Sequence, residues 1–510
     1  MNPQFRSATL VFLLCNWLLS TPLPAQIIFQ GDGSDEPGFV SPIKAAPPPP
    51  PPANMSSGES FIPYPGPPVQ PQSRSEKKNP PSPPVMFVKL KSQYGMVDWA
   101  SRPNDLSNLL KDMKGKVNVN FASEYRSLGE ISTDPDKNPI IYRSGHFHFS
   151  WTPAERKRLR DYLLKGGTII FNTGMGSKPF FDSAKEELTA IFPEAKLQRL
   201  TSDHPLFHSY YDIGQVTYRK GVRAAGYTSD EPLFYGVTIN CRTVAIISRW
   251  CLAIGWDALN DDTLMGYSAD DAMKLGVNIM SYATSQRAWA KSVAQAMTFT
   301  DADPLKAGKV FVAQVIYDGE WKTRHAGLSV LLQQFNRRTD IPVKFAQQEL
   351  QLSDKSIFDM PILYITGHEA FRFSDAEAQN LREYLNKGGC LLAEACCGRR
   401  AFNAAFMGEM KRIFPDRSFS PLPVESPLFT LPNQIKTLGV TPALSAQLGG
   451  KTTIPPSLLS LEVNGQLAVI YSPYGLAGGW EMAQNPYAFG YDDAGALSLG
   501  ENILMHTMTH

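Results

Sequence analysis

The sequence predicts a tandem pair of α/β domains, each built on a doubly wound, mostly parallel sheet. Three observations carry that expectation. The chain can be laid on itself at an offset of 222 that becomes 224; each half alternates short apolar runs with amphipathic stretches; and the apolar runs lack the polar alternation of a half-exposed sheet.

The repeat is read first. YRSGHFHFSWTPAERKRLRDYLLKGG, starting at Tyr142, matches YITGHEAFRFSDAEAQNLREYLNKGG, starting at Tyr364. Tyr142, Gly145, His146, Phe149, Glu155, Leu159, Tyr162, Gly166 and Gly167 pair with Tyr364, Gly367, His368, Phe371, Glu377, Leu381, Tyr384, Gly388 and Gly389, an offset of 222 (His368 against His146). Pro205-Leu206-Phe207 and Pro427-Leu428-Phe429 keep it; Gly255-Trp256 and Gly479-Trp480, and Asn278 and Asn502, stand 224 apart (Asn502 against Asn278). Two residues are therefore gained in a loop of the second copy. A period of this length means duplicated domains rather than a solenoid.

Within the second copy, VFVAQV reads as a strand, LSVLLQQF as a helix and IPVKFA as a short strand. PILYITG is a run without polar alternation, as a sheet covered on both faces requires. Asp375 to Asn386 reads as a helix with Ser374 as N-cap and Gly388-Gly389 closing it. CLLAEA is the next strand, and AFNAAFMGEMKRIF a helix stopped by Pro415. LEVNGQLAVIYSP predicts a hairpin turning at Asn464-Gly465. Strand–helix alternation of this kind predicts a flavodoxin-like sheet with an appended hairpin region in each copy.

Composition narrows the class of partner. A hydrophobic content of 43% fits globular domains, and 49 basic against 48 acidic residues leave no basic face for nucleic acid. Arg6, the apolar stretch Ala8 to Leu19 and the small residue Ala25 before Gln26 predict a signal peptide over 1–25. Export follows, to a secreted or periplasmic location in the cell envelope. No later apolar run reaches membrane-spanning length, so the mature chain is expected to have no transmembrane segment. From Ser41 to Pro84, sixteen of 44 residues are proline, including an unbroken run from Pro47 to Pro52. Such a stretch favours polyproline II and makes 26–84 a disordered, semi-rigid linker, with an envelope partner as its other possible role. The domains are expected at 85–290 and 309–510, joined by 291–308.

In doubly wound sheets ligands bind beyond the carboxyl ends of the strands. Three segments of each copy meet that condition. Trp99 and Arg102 follow the first strand, matched by Trp321 and Arg324; His146 follows the third, matched by His368; and Asn172, Gly174 and Gly176 follow the fourth, matched by Glu394, Cys396 and Gly398. A Trp, an Arg and a His converging there suit an anionic, sugar-like or other small-molecule ligand. Packing of the tryptophans, carboxylate pairing of the arginines and backbone bonding of the histidines are the plainer alternatives. Cys396 and Cys397 stand on a strand-to-helix turn where a helix N-terminus, with Arg399 and Arg400, favours a thiolate. His368 is the candidate base and Glu394 its candidate orienter; the first copy, with Gly174 and Met175, cannot run that reaction.

Five cysteines remain after Cys15 of the leader, an odd number that leaves the pairing of Cys241, Cys251, Cys396 and Cys397 open. None follows a metal-ligand spacing. Asp203, His204 and His208 have no further ligand near them in sequence and read as a loop cap, and the stretch from Asn172 to Ser177 lacks the lysine of a phosphate loop. No metal and no cofactor are expected.

GHEAFRFSDAEAQNLREYLNKGGCLLAEACCG, followed by FMGEMKRIFPD and SPLF, resembles a bacterial family, domain of unknown function 4159, over about residues 309–510. Residues 85–285 look like a diverged second example. The family is similar to trehalose-utilisation-type proteins and class I glutamine amidotransferase-like domains, which implies the flavodoxin-like sheet. It also implies a cysteine on the elbow where Cys396 falls, without the His-x-Glu pair that amidotransferases need. Two functions stand: a non-catalytic module binding a small molecule, glycan or protein, or a hydrolase in the second copy using Cys396 or His368 with Glu394.

Overall fold

The computed structural model describes residues 84–92, 97–116, 120–286, 289, 312–344 and 348–509. The expected leader, the proline-rich linker up to residue 83 and the connection 291–308 lie outside the described residues.

Each copy forms a seven-stranded, mostly parallel sheet. The first contains β1 (Val85–Leu90), β2 (Phe121–Arg126), β3 (Ile140–Gly145), β4 (Thr168–Thr173), β5 (Leu197–Arg199), β6 (Phe234–Ile239) and β7 (Arg242–Ser248). Its spatial order is β2-β1-β3-β4-β7-β6-β5, parallel as far as β7 and antiparallel from β7 through β6 to β5. The second copy contains β8 (Val312–Ile316), β9 (Gln348–Gln351), β10 (Ile362–Gly367), β11 (Cys390–Ala395), β12 (Ser420–Pro421), a two-stranded pair β13 (Leu438–Gly439) and β14 (Thr453–Ile454), then β15 (Leu459–Val463) and β16 (Gln466–Ser472). Its sheet order, β9-β8-β10-β11-β16-β15-β12, is that of the first copy strand for strand. The expected flavodoxin-like, doubly wound arrangement is therefore present twice.

Alternate side chains of the central strands feed two cores. Ile140 and Tyr142 face one and Ile141 the other, as Ile362 and Tyr364 oppose Leu363 and Ile365 in the second copy. Helices cover both faces, so β3, β4, β10 and β11 are buried along their whole length. Each Ile or Leu so buried contributes about 1.5–3 kcal/mol. This explains runs without polar alternation.

The repeated residues have repeated jobs. The helices Pro153–Leu164 and Asp375–Asn386 start with matching capping boxes, Thr152 with Glu155 and Ser374 with Glu377. Gly166 and Gly388 turn the chain out of these helices at φ 115° and 93°. The Tyr162 and Tyr384 rings lie flat on Gly167 and Gly389, where an added Cβ would stand 2.1 and 2.2 Å from a ring carbon. Trp256 and Trp480 donate indole N–H groups to the carbonyls of Ala272 and Ala496, at 2.7 and 2.9 Å. Asn278 brackets the backbone of Tyr211, and Asn502 that of Asn433, holding the loop after each Pro-Leu-Phe turn. The hairpin predicted at Asn464-Gly465 joins β15 to β16, with φ 55° and 79° at its two central residues.

The described residues of the two copies make one compact unit. Among the described residues no helix is long and apolar enough to cross a membrane.

Two outcomes follow for stability in urea. Gly389→Ala forces the Tyr384 ring away and is expected to cost about 1–3 kcal/mol; an unchanged midpoint would show the contact to be soft. Lys89 and Asp105 form an ion pair at 2.7 Å, each 1% exposed. Lys89→Met strands the carboxylate and is expected to cost about 3–5 kcal/mol, most of it recovered by Lys89→Met with Asp105→Leu.

Candidate functional site

The site is built where β8, β10 and β11 of the second copy end. After β11 the chain enters a tight turn, Cys396–Gly398, before the helix Arg400–Ile413. Cys397, at φ 54° and ψ 18°, takes the left-handed conformation that reverses the chain between strand and helix. A side chain there costs roughly 1–2 kcal/mol relative to glycine. The first copy makes the same turn with Met175 at φ 50°. The elbow is thus a property of the fold; only the second copy puts a thiol on it.

A third sulfur arrives from the first copy. β6 and β7 form a hairpin whose central residues, Asn240 and Cys241, have φ 50° and 61°. The equivalent turn of the second copy is Asn464-Gly465, so Cys241 occupies a position that is glycine in its repeat. The Asn485 amide donates to the Cys241 carbonyl at 2.9 Å, and the Cys241 thiol donates to the carbonyl of Thr323 at 3.2 Å. The Cys241 sulfur then lies 3.3 Å from that of Cys396, which is 3.8 Å from that of Cys397. His368 completes the cluster: one ligand atom from each of Cys241, His368, Cys396 and Cys397 fits within 4.8 Å of all the others. All three cysteines are free thiols; Cys241 and Cys396 are buried and Cys397 is half-buried.

Charge around the cluster is arranged in pairs. Glu320, at the end of the β8 loop, meets His368 Nδ1 at 2.7 Å and leaves Nε2 for the thiols. Burial opposes the charged imidazole, but Cys396, Cys397 and Glu320 outweigh it, and His368 titrates well above the usual histidine range. The neighbouring Cys241 and Cys396 sulfurs, with His368, hold the Cys397 thiol well below the usual cysteine range, whereas burial pushes Cys241 and Cys396 up. Arg324 is buried, ion-paired with Glu481 at 3.1 Å, and its charge acts on all three thiols. Arg399 bridges the copies, donating to the carbonyl of Asp203 at 3.1 Å and lying 3.5 Å from Glu369.

The cavity beside the cluster has a volume of about 30 Å³ and is lined by His204, Cys241, Glu320, His368, Cys397 and Arg399 among others. That is room for one or two water-sized species beside the sulfurs. The donors suit a single thiophilic metal ion, and Cys397 with His368 and Glu320 has the order of a nucleophile, a base and its orienter.

The sequence-derived candidates separate here. His368, Cys396 and Arg324 meet at the cluster. Trp321 instead packs at the margin of a core, its carbonyl accepting from Gln314. Trp99 packs on Tyr125, with ring centres 5.4 Å apart, and Arg102 offers its carbonyl to Lys89. Among the described residues the half-buried His146 receives no carboxylate on its ring: Asp98, the counterpart of Glu320, accepts from the backbone N–H groups of His146 and Phe147 at 2.9 and 3.3 Å. The larger cavity of the first copy, about 160 Å³, is lined instead by Asp98, Arg143, His148 and Trp151 among others.

One assignment is corrected. Glu394 does not orient His368. It is fully buried and accepts from the Tyr364 hydroxyl at 2.5 Å, from Thr366 and from the backbone N–H groups of Leu476 and Ala477. Asn172 does the same in the first copy, accepting from Leu252 N–H at 2.7 Å. Both side chains tie the fourth strand to the loop behind it. His204 caps the short helix Pro205–His208, accepting from Leu206 N–H at 3.1 Å, so the loop-cap reading describes it. Sequence spacing missed Cys241 and Glu320 because their partners come from other segments. The available signal was a cysteine aligned with the glycine of an Asn-Gly turn.

Comparison with known proteins agrees with this duplication. No curated protein matches the chain. The model of one family, described as domain of unknown function DUF4159, matches residues 86–284 and again residues 311–508, the two sheets with their helices. The chain belongs to the DUF4159 family and carries two copies of its domain.

Proposed function

We propose that the chain is an exported, non-catalytic binding protein whose ligand is held at the junction of its two copies. One observation carries the reading: the donor cluster needs Cys241 from the first copy and His368, Cys396 and Cys397 from the second. Neither copy holds the set alone, which gives the tandem arrangement a purpose. The cavity of about 30 Å³, lined in part by Cys241, suits retention of a small species more than turnover of a substrate. The leader at 1–25 supports export, and the proline run supports a spacer that holds the pair away from a surface or envelope partner.

A second reading, a hydrolase in the second copy, draws on the left-handed Cys397 and the 2.7 Å bond between His368 and Glu320. Relative to the sequence expectation, it moves the nucleophile from Cys396 to Cys397 and the orienter from Glu394 to Glu320.

Native mass spectrometry of the full mature chain separates the two. Retained ligand mass that disappears in Cys241→Ser and His368→Ala is the expected result. Release of a chromogenic group from an ester, thioester or amide panel that disappears in Cys397→Ser would overturn it in favour of the hydrolase. Export is checked with residues 1–30 fused to a reporter active only outside the cytoplasm; an inactive fusion would remove that part of the reading.

The turn at Cys241 gives an independent check. In ligand-free protein, Cys241→Gly is expected to be more stable than Cys241→Ala by about 1 kcal/mol, because only glycine is unstrained at a positive φ. Both variants should lose the ligand. Equal stability would mean that the turn relaxes once the thiol is gone.

A further inference from the structure

We infer that the ligand at the junction is a single zinc ion, coordinated by the thiolates of Cys241, Cys396 and Cys397 and by Nε2 of His368. This rests on the binding reading above and gives that site its ligand.

The donor geometry is the first support. A tetrahedral ion with zinc–sulfur bonds of about 2.3 Å and a zinc–nitrogen bond of about 2.0 Å needs donors roughly 3.5–3.8 Å apart. The sulfur pairs Cys241–Cys396 and Cys396–Cys397 stand at 3.3 and 3.8 Å, and the whole set lies within 4.8 Å. Small outward movements seat an ion among them. Three thiols and an imidazole are the soft donor set that favours zinc over calcium or magnesium.

The surroundings are the second support. The Glu320 carboxylate on His368 Nδ1 is the arrangement that fixes a metal-binding imidazole with its other nitrogen toward the ion. Three thiolates and a dication leave one negative charge, and the buried Arg324 guanidinium, which it shares with Glu481, acts on all three sulfurs. Its Nε and Nη2 have no hydrogen-bond partner among the described residues. Asn485 holds the backbone of Cys241 in place.

Backbone strain is the third. Cys241 occupies a left-handed position, and its repeat is Gly465, around which nothing lies within 4 Å of an added Cβ. Strain of this kind persists where it aims a functional side chain. The first copy has Gly174 and Met175 where the second has Cys396 and Cys397, so the expected stoichiometry is one ion per chain. With four protein donors the coordination is closed, and the ion acts as a staple between the copies rather than as a catalyst.

The test is metal analysis of the full mature chain, purified without chelators, followed by competition against a chromogenic zinc chelator. One zinc per chain is expected. Cys241→Ser and His368→Ala should weaken binding at least 10-fold, and Glu320→Gln roughly 10- to 100-fold. Cys251→Ser and Cys390→Ser remove buried thiols outside the cluster and should leave binding unchanged. Cobalt substitution should give the absorption of tetrahedral, sulfur-ligated cobalt, diminished in Cys241→Ser, and stripping the zinc should lower Tm. Less than a tenth of an equivalent at saturating zinc, or equal loss in Cys251→Ser and Cys241→Ser, would overturn the inference. A zinc-free chain that still retains another mass sensitive to Cys241→Ser would overturn zinc but leave the binding reading standing. A zinc-free chain with turnover dependent on Cys397 would overturn both.

Discussion

Docking of the Asn240-Cys241 turn onto the strand ends of the second copy is the contact on which the candidate site depends. A two-residue turn with both residues at positive φ is short and stiff, so it delivers its tip at a defined place beyond the sheet. The Asn485 amide on the Cys241 carbonyl and the Thr323 carbonyl under the Cys241 thiol then fix both backbone and side chain. Without that turn the second copy would present two adjacent thiols and a histidine at the ordinary carboxyl ends of two central strands. With it, three sulfurs and an imidazole lie within 4.8 Å of one another.

The two copies show how one backbone supports different chemistry by single substitutions. Asp98 caps the backbone after β3, whereas Glu320, one methylene longer, reaches the imidazole ring of His368. Asn172 and Glu394 make the same tie to the loop behind the sheet with an amide and a carboxylate. Met175 and Cys397 sit on the same left-handed elbow. The junction is also one-sided: Cys241 of the first copy meets the second, while the equivalent Gly465 has open space around it.

Electrostatics at the junction follow from burial. Thiols and carboxyls removed from water resist ionising, and burial raises Cys241, Cys396 and Glu369. Arg324, Arg399 and His368 are the cations that counter this, each held by a carboxylate of its own: Glu481, Glu369 and Glu320. Negative charge is therefore tolerated at the thiols in a place where isolated thiolates would not survive desolvation.

By itself the sequence determined the duplication, the class of sheet, the helix Asp375–Asn386 with its cap, and the Asn464-Gly465 hairpin. Each of these rests on local periodicity, on capping and turn chemistry, or on comparison of the chain with itself. It also picked out His368, Arg324 and Cys396, because strand ends of doubly wound sheets are where ligands bind. It placed Glu394 beside His368, since linear spacing reports only on neighbours along the chain. Which carboxylate faces His368, which cysteine stands on the elbow and what lies opposite were decided by tertiary structure. Cys241 is 155 residues before Cys396. Only the packing of one copy against the other brings their sulfurs together.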